Sequence, residues 1–380
     1  MRIVHLADTH LGFRQLHRVN DAGRNVREQD VYDAFSDAIE IAISLDPDAV
    51  IHAGDLFDSY HPSSAALGAA LDGFARLREA NIPIVVIAGN HSTPRVTAAE
   101  HIFGVLGRFG GVHVVHGAPQ VVRIEGRGRP GVLAVHAIPH DNDPAAVAAA
   151  LREARADAGA DSHVLVAHVG LEGLGQVVGS EAGSLTLSGE ALAAAGEFDY
   201  IALGHLHKFA PARDNAAYAG SLERLSWGDD ADYKGVVEVD LAAGRHSPDY
   251  LRLHPVPTRA MIELDPVDAA TCEDLTAAII ARGEGENLDG AMVRIAVRNV
   301  TAADWNAIDA RAVAAAYASC LHFEREPHLI GAPAGLPATA PALREFLAAW
   351  PGLKTAGVDL EEFVARAEGF LALADQELAG

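Results

Sequence analysis

The chain has 380 residues, of which 49% are hydrophobic and only 6% aromatic. This length allows two or three domains. No apolar run reaches the length of a membrane span, and no secretory signal sequence opens the chain, so the composition argues against a membrane or secreted protein. The two cysteines, Cys272 and Cys320, lack the spacing of a disulfide framework or a metal site, which predicts a reducing, cytoplasmic compartment.

The formal net charge is −23. This charge argues against a free-standing nucleic-acid-binding protein, which usually carries a basic balance. It does not exclude one, because a local arginine cluster or a partner subunit can supply the positive field. The 19 histidines are many for this length, and several stand beside Asp or Asn, which suggests metal binding.

The first part of the chain alternates apolar strands with helices, which predicts an α/β layered domain. The predicted strands cover 2–7, 48–53, 84–88, 112–116, 121–125, 132–136, 162–167, 200–203, 235–241 and 250–255. The predicted helices cover 28–45, 63–80, 98–109 and 144–158. Either Ser63 or Ser64 is a suitable N-cap for the second helix, and Pro144 suits the first turn of the fourth.

The character of the sequence changes after Pro257. Strands are predicted at 260–264, 291–297 and 321–326, with helices at 271–282 and 303–318. The chain is therefore predicted to contain a first domain over 1–256, a smaller α/β domain over 257–330, and a linker with terminal helices over 331–380.

Five loops, each following an apolar strand, carry candidate metal ligands. Their side chains are Asp8, His10, Asp55, Asn90, His91, His168, His205 and His207. A single histidine after a strand is more often structural. Sites in open α/β sheets lie at the carboxyl ends of the strands, and five such loops in chain order are hard to obtain from packing alone.

Imidazole combined with carboxylate and amide oxygen suits manganese, iron or zinc, and contains too much nitrogen for calcium. Even seven of these eight residues are too many for one closed tetrahedral ion. They fit two ions that share a carboxylate and a bridging water. Two ions roughly 3.5–4 Å apart can activate that water and stabilise both oxygens of a phosphoryl displacement.

These motifs resemble the calcineurin-like metallophosphoesterase superfamily. The similarity rests on Asp8-x-His10, Gly54-Asp55-x-x-Asp58, Gly89-Asn90-His91, His168 and Gly204-His205-x-His207. More narrowly, the chain is similar to the Mre11/SbcD family of DNA repair nucleases through residues 5–12, 53–57 and 204–208, and through the block 218–224 followed by Lys234-Gly235. The resemblance covers about residues 1–255, and the smaller domain matches the family's capping domain by position and type only.

The resemblance implies the fold and the role of each site residue. The fold would be a sandwich of two β-sheets flanked by helices. Asp8, His10 and His207 would hold one ion; Asn90, His168 and His205 would hold the other; Asp55 would bridge them. His91 would sit near the scissile phosphate and stabilise or protonate the leaving oxygen. The family's usual metal is manganese, and its activities are exonuclease and endonuclease cleavage at DNA ends, with attack by a bridging hydroxide.

Two positions beside the motifs need separate interpretation. Many family members have Asp after Gly-Asn-His, whereas Ser92 follows here, which puts the orientation of His91 in doubt. Asp58 either orients a neighbouring ligand or caps its own turn.

Several basic residues are candidate DNA contacts. Arg14, Arg18, Arg24 and Arg27 either contact phosphate or lie on a solvated loop and helix start. Arg95 and Lys208, next to metal loops, are stronger candidates, while Arg224 suits a structural ion pair.

Two other functions stay open. A phosphodiesterase of the same superfamily with a small substrate fits the acidic charge, and a subunit that tethers DNA ends for an ATPase fits the added domains. The resemblance implies that helices near 360–378 dock onto a Rad50/SbcC-like ABC ATPase, and that helices of the first domain form a homodimer.

Overall fold

The computed structural model describes residues 1–94, 101–172, 185–188, 192, 196–229 and 233–330. The chain divides into two compact units, Met1–Met261 and Ile262–Gly380. Within the described ranges, every helix is too short or too polar to cross a membrane. Arg95 and the predicted linker and terminal helices over 331–380 lie outside the described residues.

The first unit contains two six-stranded sheets. One is built from β1 (Arg2–Leu6), β2 (Ala49–His52), β3 (Ile84–Ile87), β4 (Val112–Val115), β13 (Gly235–Asp240) and β14 (Leu251–Pro255), in the order β14-β13-β1-β2-β3-β4. Strands β1 to β4 are parallel, and β13 runs antiparallel to β1. The carboxyl ends of β1, β2 and β3 therefore lie at one edge of this sheet.

The other sheet is built from β5 (Gln120–Glu125), β6 (Val132–Ile138), β7 (Ser162–His168), β10 (Tyr200–Gly204), β11 (Ala210–Arg213) and β12 (Ala216–Tyr218), in the order β11-β12-β10-β7-β6-β5. Strands β6, β7, β10 and β12 are parallel. Two short strands, β8 (Gly170–Leu171) and β9 (Thr186–Leu187), pair separately.

The apolar core lies on both faces of each sheet, which explains why the central strands are continuous apolar runs. Ile51 and Val85 pack with Val135 and Val164 between the two sheets. The outer face of the first sheet is covered by α1 (Val26–Ser44), α2 (Ser64–Glu79) and α3 (Ile102–Leu106), and that of the second by α4 (Pro144–Glu153). The predicted sandwich of two sheets flanked by helices is confirmed.

The first unit departs from the predicted elements at the end of α4, at the length of α3 and at two pairs of short strands, β8 with β9 and β11 with β12. Helix α4 ends at Glu153 rather than 158, because only Val147 and Leu151 are buried and Arg155 donates to the carbonyls of residues 152 and 154. The short antiparallel pair β11 and β12 was not predicted. Of the predicted helix 98–109, the structure describes 101–109, and only Ile102–Leu106 is helical there. Ser63 is the N-cap of α2, since its side chain accepts from the Ala66 N–H.

The second unit contains β15 (Met261–Asp268), β16 (Met292–Val300) and β17 (His322–Leu329), with α5 (Leu275–Arg282), α6 (Ala302–Ala307) and α7 (Ala310–Ala316). The strands lie in the order β15-β16-β17. The single helix predicted over 303–318 is two helices, because the Asp309 carboxylate accepts from the N–H groups of Arg311 and Ala312 and caps α7.

Candidate metal centre

The predicted ligand loops meet where the two sheets of the first unit present their carboxyl ends. The Asp8 N–H donates to the Gly54 carbonyl, and the His10 N–H to the Asp55 carbonyl, each at 3.0 Å. These bonds continue the pairing of β1 with β2 beyond the strands. From the second sheet, His168 ends β7 and His205 follows β10.

The main chain at these loops is strained. Asp8, His10 and Asp55 have φ of 50°, 52° and 50°, and His205 has φ of 102°. Residues other than glycine rarely adopt these positive φ values, and each such residue costs on the order of 1–3 kcal/mol of conformational energy. The fold accepts this cost at four of the predicted site residues, where it aims their side chains into one space.

Two glycines allow the close approach of the loops. A Cβ added at Gly54 would lie 2.3 Å from His168 Nδ1, and one at Gly89 would lie 2.2 Å from Asp55 Oδ1. Any side chain at either position would displace a candidate ligand.

One group of ligand atoms comes from Asp8, His10 and His207, which lie within 4.8 Å of one another. His10 Nδ1 donates to Asp58 Oδ1 at 3.2 Å, which turns His10 Nε2 toward His207 Nε2, also at 3.2 Å. Two neutral imidazoles that face each other through Nε2 lone pairs repel unless a proton or a cation lies between them.

A second group comes from Asp8, Asp55 and His168. His168 Nδ1 donates to the Ala53 carbonyl at 2.9 Å, so Nε2 carries the lone pair of the neutral ring. That Nε2 lies 3.0 Å from both Asp55 Oδ2 and Asn90 Oδ1. Three atoms with free lone pairs converge in a buried space, and such a set of nitrogen and oxygen ligands suits a divalent cation.

The pKa shifts of Asp8, Asp55 and His168 also indicate that the site favours a bound positive charge. Burial raises the pKa of Asp8 to about 7, with a further contribution from Asp55. Burial alone would raise the pKa of Asp55, but His168, His10 and His91 outweigh it and hold that pKa below its ordinary value. Burial opposes the charged form of His168, yet Asp55 and Asp8 raise its pKa to about 9. A bound cation would replace the proton that these carboxylates draw onto His168.

His205 is placed by its main chain. Its N–H donates to Asp8 Oδ1 at 2.9 Å and Oδ2 at 3.1 Å. The ring lies 5.4 Å from that of His168, centroid to centroid, but His205 is in none of the three-residue ligand groups found among the described residues. The structure thus brings His205 to the site without fixing a ligand distance for it.

His91 lies beside both groups. Its N–H donates to Asp55 Oδ1 and its Nδ1 to the Asp58 carbonyl, both at 2.9 Å. It also shares a ligand group with His10 and Asp55. Because Nδ1 is engaged by Asp58, any contact of the His91 ring with substrate or metal is made by Nε2.

Asp58 and Ser92 differ in what they contact. Asp58 binds the ring nitrogen of His10 through its carboxylate and that of His91 through its carbonyl, so it can orient both. Ser92 is buried, and its hydroxyl has no hydrogen-bond partner among the described residues. Ser92 therefore makes no hydrogen bond through which it could orient His91, in keeping with the doubt that the missing Asp raised.

The candidate DNA-contacting residues differ in exposure and in what they contact. Arg14 is exposed but forms a two-bond ion pair with Glu28, at 2.9 and 3.2 Å. Arg18 and Lys208 are exposed. Arg24 packs over the Tyr32 ring, 5.1 Å from its centroid. A cleft of about 670 Å³ is lined by Arg14, His17 and Arg24.

Arg27 fits neither of its two predicted alternatives, a phosphate contact or a solvated helix start. Its side chain is fully buried and pairs with Asp30 at 2.6 Å. A guanidinium enclosed by protein in this way cannot reach a phosphate.

Two residues that contact the site were not identified as site residues from the sequence. Ser221 and Lys234 donate to the carbonyl of His207. The sequence signal that could have identified them is the block over 218–224 followed by Lys234-Gly235, because this block resembles the family although metal binding alone does not require it.

Comparison with known proteins agrees with this site. Residues 1–209 match the calcineurin-like phosphoesterase family. Relatives named DNA double-strand break repair protein Mre11 include that of Thermoplasma acidophilum, 32% identical over 69% of this chain and 68% of the relative, and that of Saccharolobus solfataricus, 32% identical over 54% and 49%. The relative from Methanococcus maripaludis is 42% identical, but the alignment spans only 28% of this chain and 27% of that protein. The chain therefore belongs to the calcineurin-like phosphoesterase family and, within it, to the group of relatives that are named Mre11.

Proposed function

We propose that the chain is a manganese-dependent nuclease that hydrolyses phosphodiester bonds at DNA ends during double-strand-break repair. The observation that carries this proposal is the convergence of lone-pair atoms from His168, Asp55 and Asn90 beside the facing imidazoles of His10 and His207. Relatives whose names give them a role in double-strand-break repair support DNA as the substrate. A cytoplasmic location stays a prediction.

The residues would divide into two ligand sets joined by one carboxylate. Asp8, His10 and His207 would hold one ion, and Asn90, His168 and His205 the other, with Asp55 shared. Two divalent ions bound there would supply Lewis acidity for a phosphate ester and for the water that attacks it.

The protein's own contribution is orientation and proton transfer. Asp58 fixes the rings of His10 and His91 through two separate oxygens. Ala53 fixes the tautomer of His168. His91, with Nδ1 held by a carbonyl, would deliver the proton on Nε2 to the departing oxygen.

A second candidate is hydrolysis of a small phosphodiester. The net charge of −23 favours it, since a duplex would meet an acidic surface. The block over 218–224, which belongs to the Mre11/SbcD resemblance, favours DNA instead. The tethering role for an ATPase is the third candidate, and the assembled ligand set favours catalysis over it.

Manganese-dependent turnover of end-labelled linear duplex should be compared with that of bis(p-nitrophenyl) phosphate and cyclic nucleotides. We expect release of the DNA label that EDTA abolishes. Turnover of only the small diesters would overturn the proposal in favour of the second candidate. Binding of duplex without any cleavage would favour the tether.

The substitution Arg18→Gln should weaken duplex binding uniformly across sequences. Removal of one phosphate contact should reduce the slope of log affinity against log salt by about 1. Fluorescence anisotropy at several salt concentrations measures this slope. The control is Arg245→Gln, an exposed arginine that follows β13 at the end away from the metal loops. Equal slopes for both variants would show that Arg18 does not contact a DNA phosphate.

Partners belong to the same proposal. A Rad50/SbcC-like ABC ATPase would dock on the segment near 360–378, which lies outside the described residues, and a homodimer would form through first-domain helices. Such an ATPase would also supply positive surface that this acidic chain lacks.

A further inference from the structure

We propose that Lys234 and Ser221 are positioning residues that fix the main chain of His207 and thereby set the affinity of one ion site. This inference rests on the metal-binding part of the proposed function. It gives a role to the sequence block over 218–224 and Lys234-Gly235, which superfamily chemistry leaves unexplained.

The carbonyl of His207 receives an unusual number of donors. Lys234 Nζ lies 2.6 Å from this oxygen, the Ser221 N–H 3.0 Å and Ser221 Oγ 3.3 Å. Ser221 Oγ also lies 2.8 Å from the Glu223 carbonyl, and its single proton can serve only one of them. The ammonium and the Ser221 N–H are therefore enough to fill both lone pairs of the His207 carbonyl.

Lys234 is built into this position rather than resting on the surface. Its side chain is 0% exposed, and a buried ammonium is costly unless it is paired. Asp229 Oδ1 lies 3.5 Å from Nζ, while Asp229 Oδ2 accepts from the N–H groups of Leu225 and Ser226. The charge of Lys234 thus lies between a fixed carboxylate and the carbonyl of a candidate ligand.

The turn before Ser221 is shaped for the same contact. Gly220 has φ of +77°, and a Cβ there would lie 2.9 Å from the His207 carbonyl oxygen and 2.7 Å from the Phe209 nitrogen. Only glycine lets the turn lie close enough for Ser221 to donate.

The block is in turn anchored to α1. Glu223 accepts from the Arg259 N–H at 3.2 Å and lies 3.6 Å from Arg27 Nη2. Arg27 is the buried arginine that also pairs with Asp30. The support of His207 is therefore tied to a helix of the core, so it cannot shift freely.

The contact matters because His207 presents its ring to the first ligand group. Its Nε2 lies 3.2 Å from His10 Nε2, so a movement of its main chain separates the two nitrogens. Loss of a residue that orients a metal ligand typically costs about 10–100-fold in metal affinity. The loss should fall on the ion held by His207, and the ion held by His168 should keep its affinity.

The test is titration of the purified full chain with manganese by isothermal calorimetry, for the natural protein and Lys234→Met. We expect two binding steps in the natural protein. In Lys234→Met, one step should weaken by about 10–100-fold and the other should stay unchanged. The control is Asn215→Ala, which loses a buried hydrogen bond to the Phe198 carbonyl at the opposite end of β12 and should bind both ions normally.

Two further variants keep the test decisive if Lys234→Met does not fold. Lys234→Met combined with Asp229→Asn removes both charges, which avoids leaving a buried carboxylate unpaired. Ser221→Ala keeps the N–H that donates to the His207 carbonyl, so it should weaken the same step far less than the loss of Lys234 does. Unchanged affinity at both steps in folded Lys234→Met, or in the folded double variant, would overturn this inference and leave the proposed function standing. Absence of any manganese binding by the natural protein would overturn both.

Discussion

Replacing Asp55 by alanine should abolish manganese binding at both sites and reduce DNA cleavage by more than about 10³-fold. Removal of a single group that stabilises charge in the transition state already slows an enzyme by up to about 10³-fold. Asp55 Oδ2 lies 3.0 Å from His168 Nε2, and Asp55 shares a second ligand group with His10. Among the described residues, only Asp55 and Asp8 share one ligand group with His10 and another with His168. Calorimetric titration with manganese and the end-labelled duplex assay measure the two losses.

The matched control for Asp55→Ala is Asp48→Ala. Asp48 is also a fully buried carboxylate, but it precedes β2 and accepts from the N–H groups of Arg2 and Arg127. Its loss should lower stability and leave metal binding intact. Two bound ions together with normal cleavage in Asp55→Ala would contradict the shared-ligand role.

The substitution His91→Ala should separate catalysis from metal binding. Because His91 Nδ1 is held by the Asp58 carbonyl, its Nε2 is the atom that can serve as general acid. The turnover number should fall by about 10²–10⁴-fold, while both manganese steps remain.

The control for His91→Ala is His113→Ala, an exposed histidine on β4 that should cleave DNA normally. The informative failure is loss of one manganese step in His91→Ala. Since His91 shares a ligand group with His10 and Asp55, that loss would make it a ligand rather than an acid.

Much of the site could be predicted because its residues follow buried strands. Asp8, Asp55 and His168 each come directly after, or at the end of, an apolar run, and parallel strands bring such positions to one edge. The same regularity predicted an α/β layered domain, and the family resemblance implied the sandwich of two sheets. It did not predict that α4 would stop at Glu153, because an alanine-rich pattern does not show where burial ends.

The residues that sequence reasoning missed act through main-chain or long-range contacts. Arg27 looked like a member of a basic loop, but its burial depends on Asp30 and on Glu223, far along the chain. Lys234 contacts a carbonyl, which leaves no trace in a ligand motif. The orientation of His91 by the Asp58 carbonyl is likewise independent of the side chain at position 58.

We expect one cluster at the carboxyl ends of the strands to hold two ions joined by Asp55. The most direct test is electron paramagnetic resonance of the natural protein loaded with two equivalents of manganese. Ions that share a carboxylate, roughly 3.5–4 Å apart, should give the spectrum of an exchange-coupled pair. A spectrum of isolated manganese, or saturation at one ion per chain, would contradict the claim.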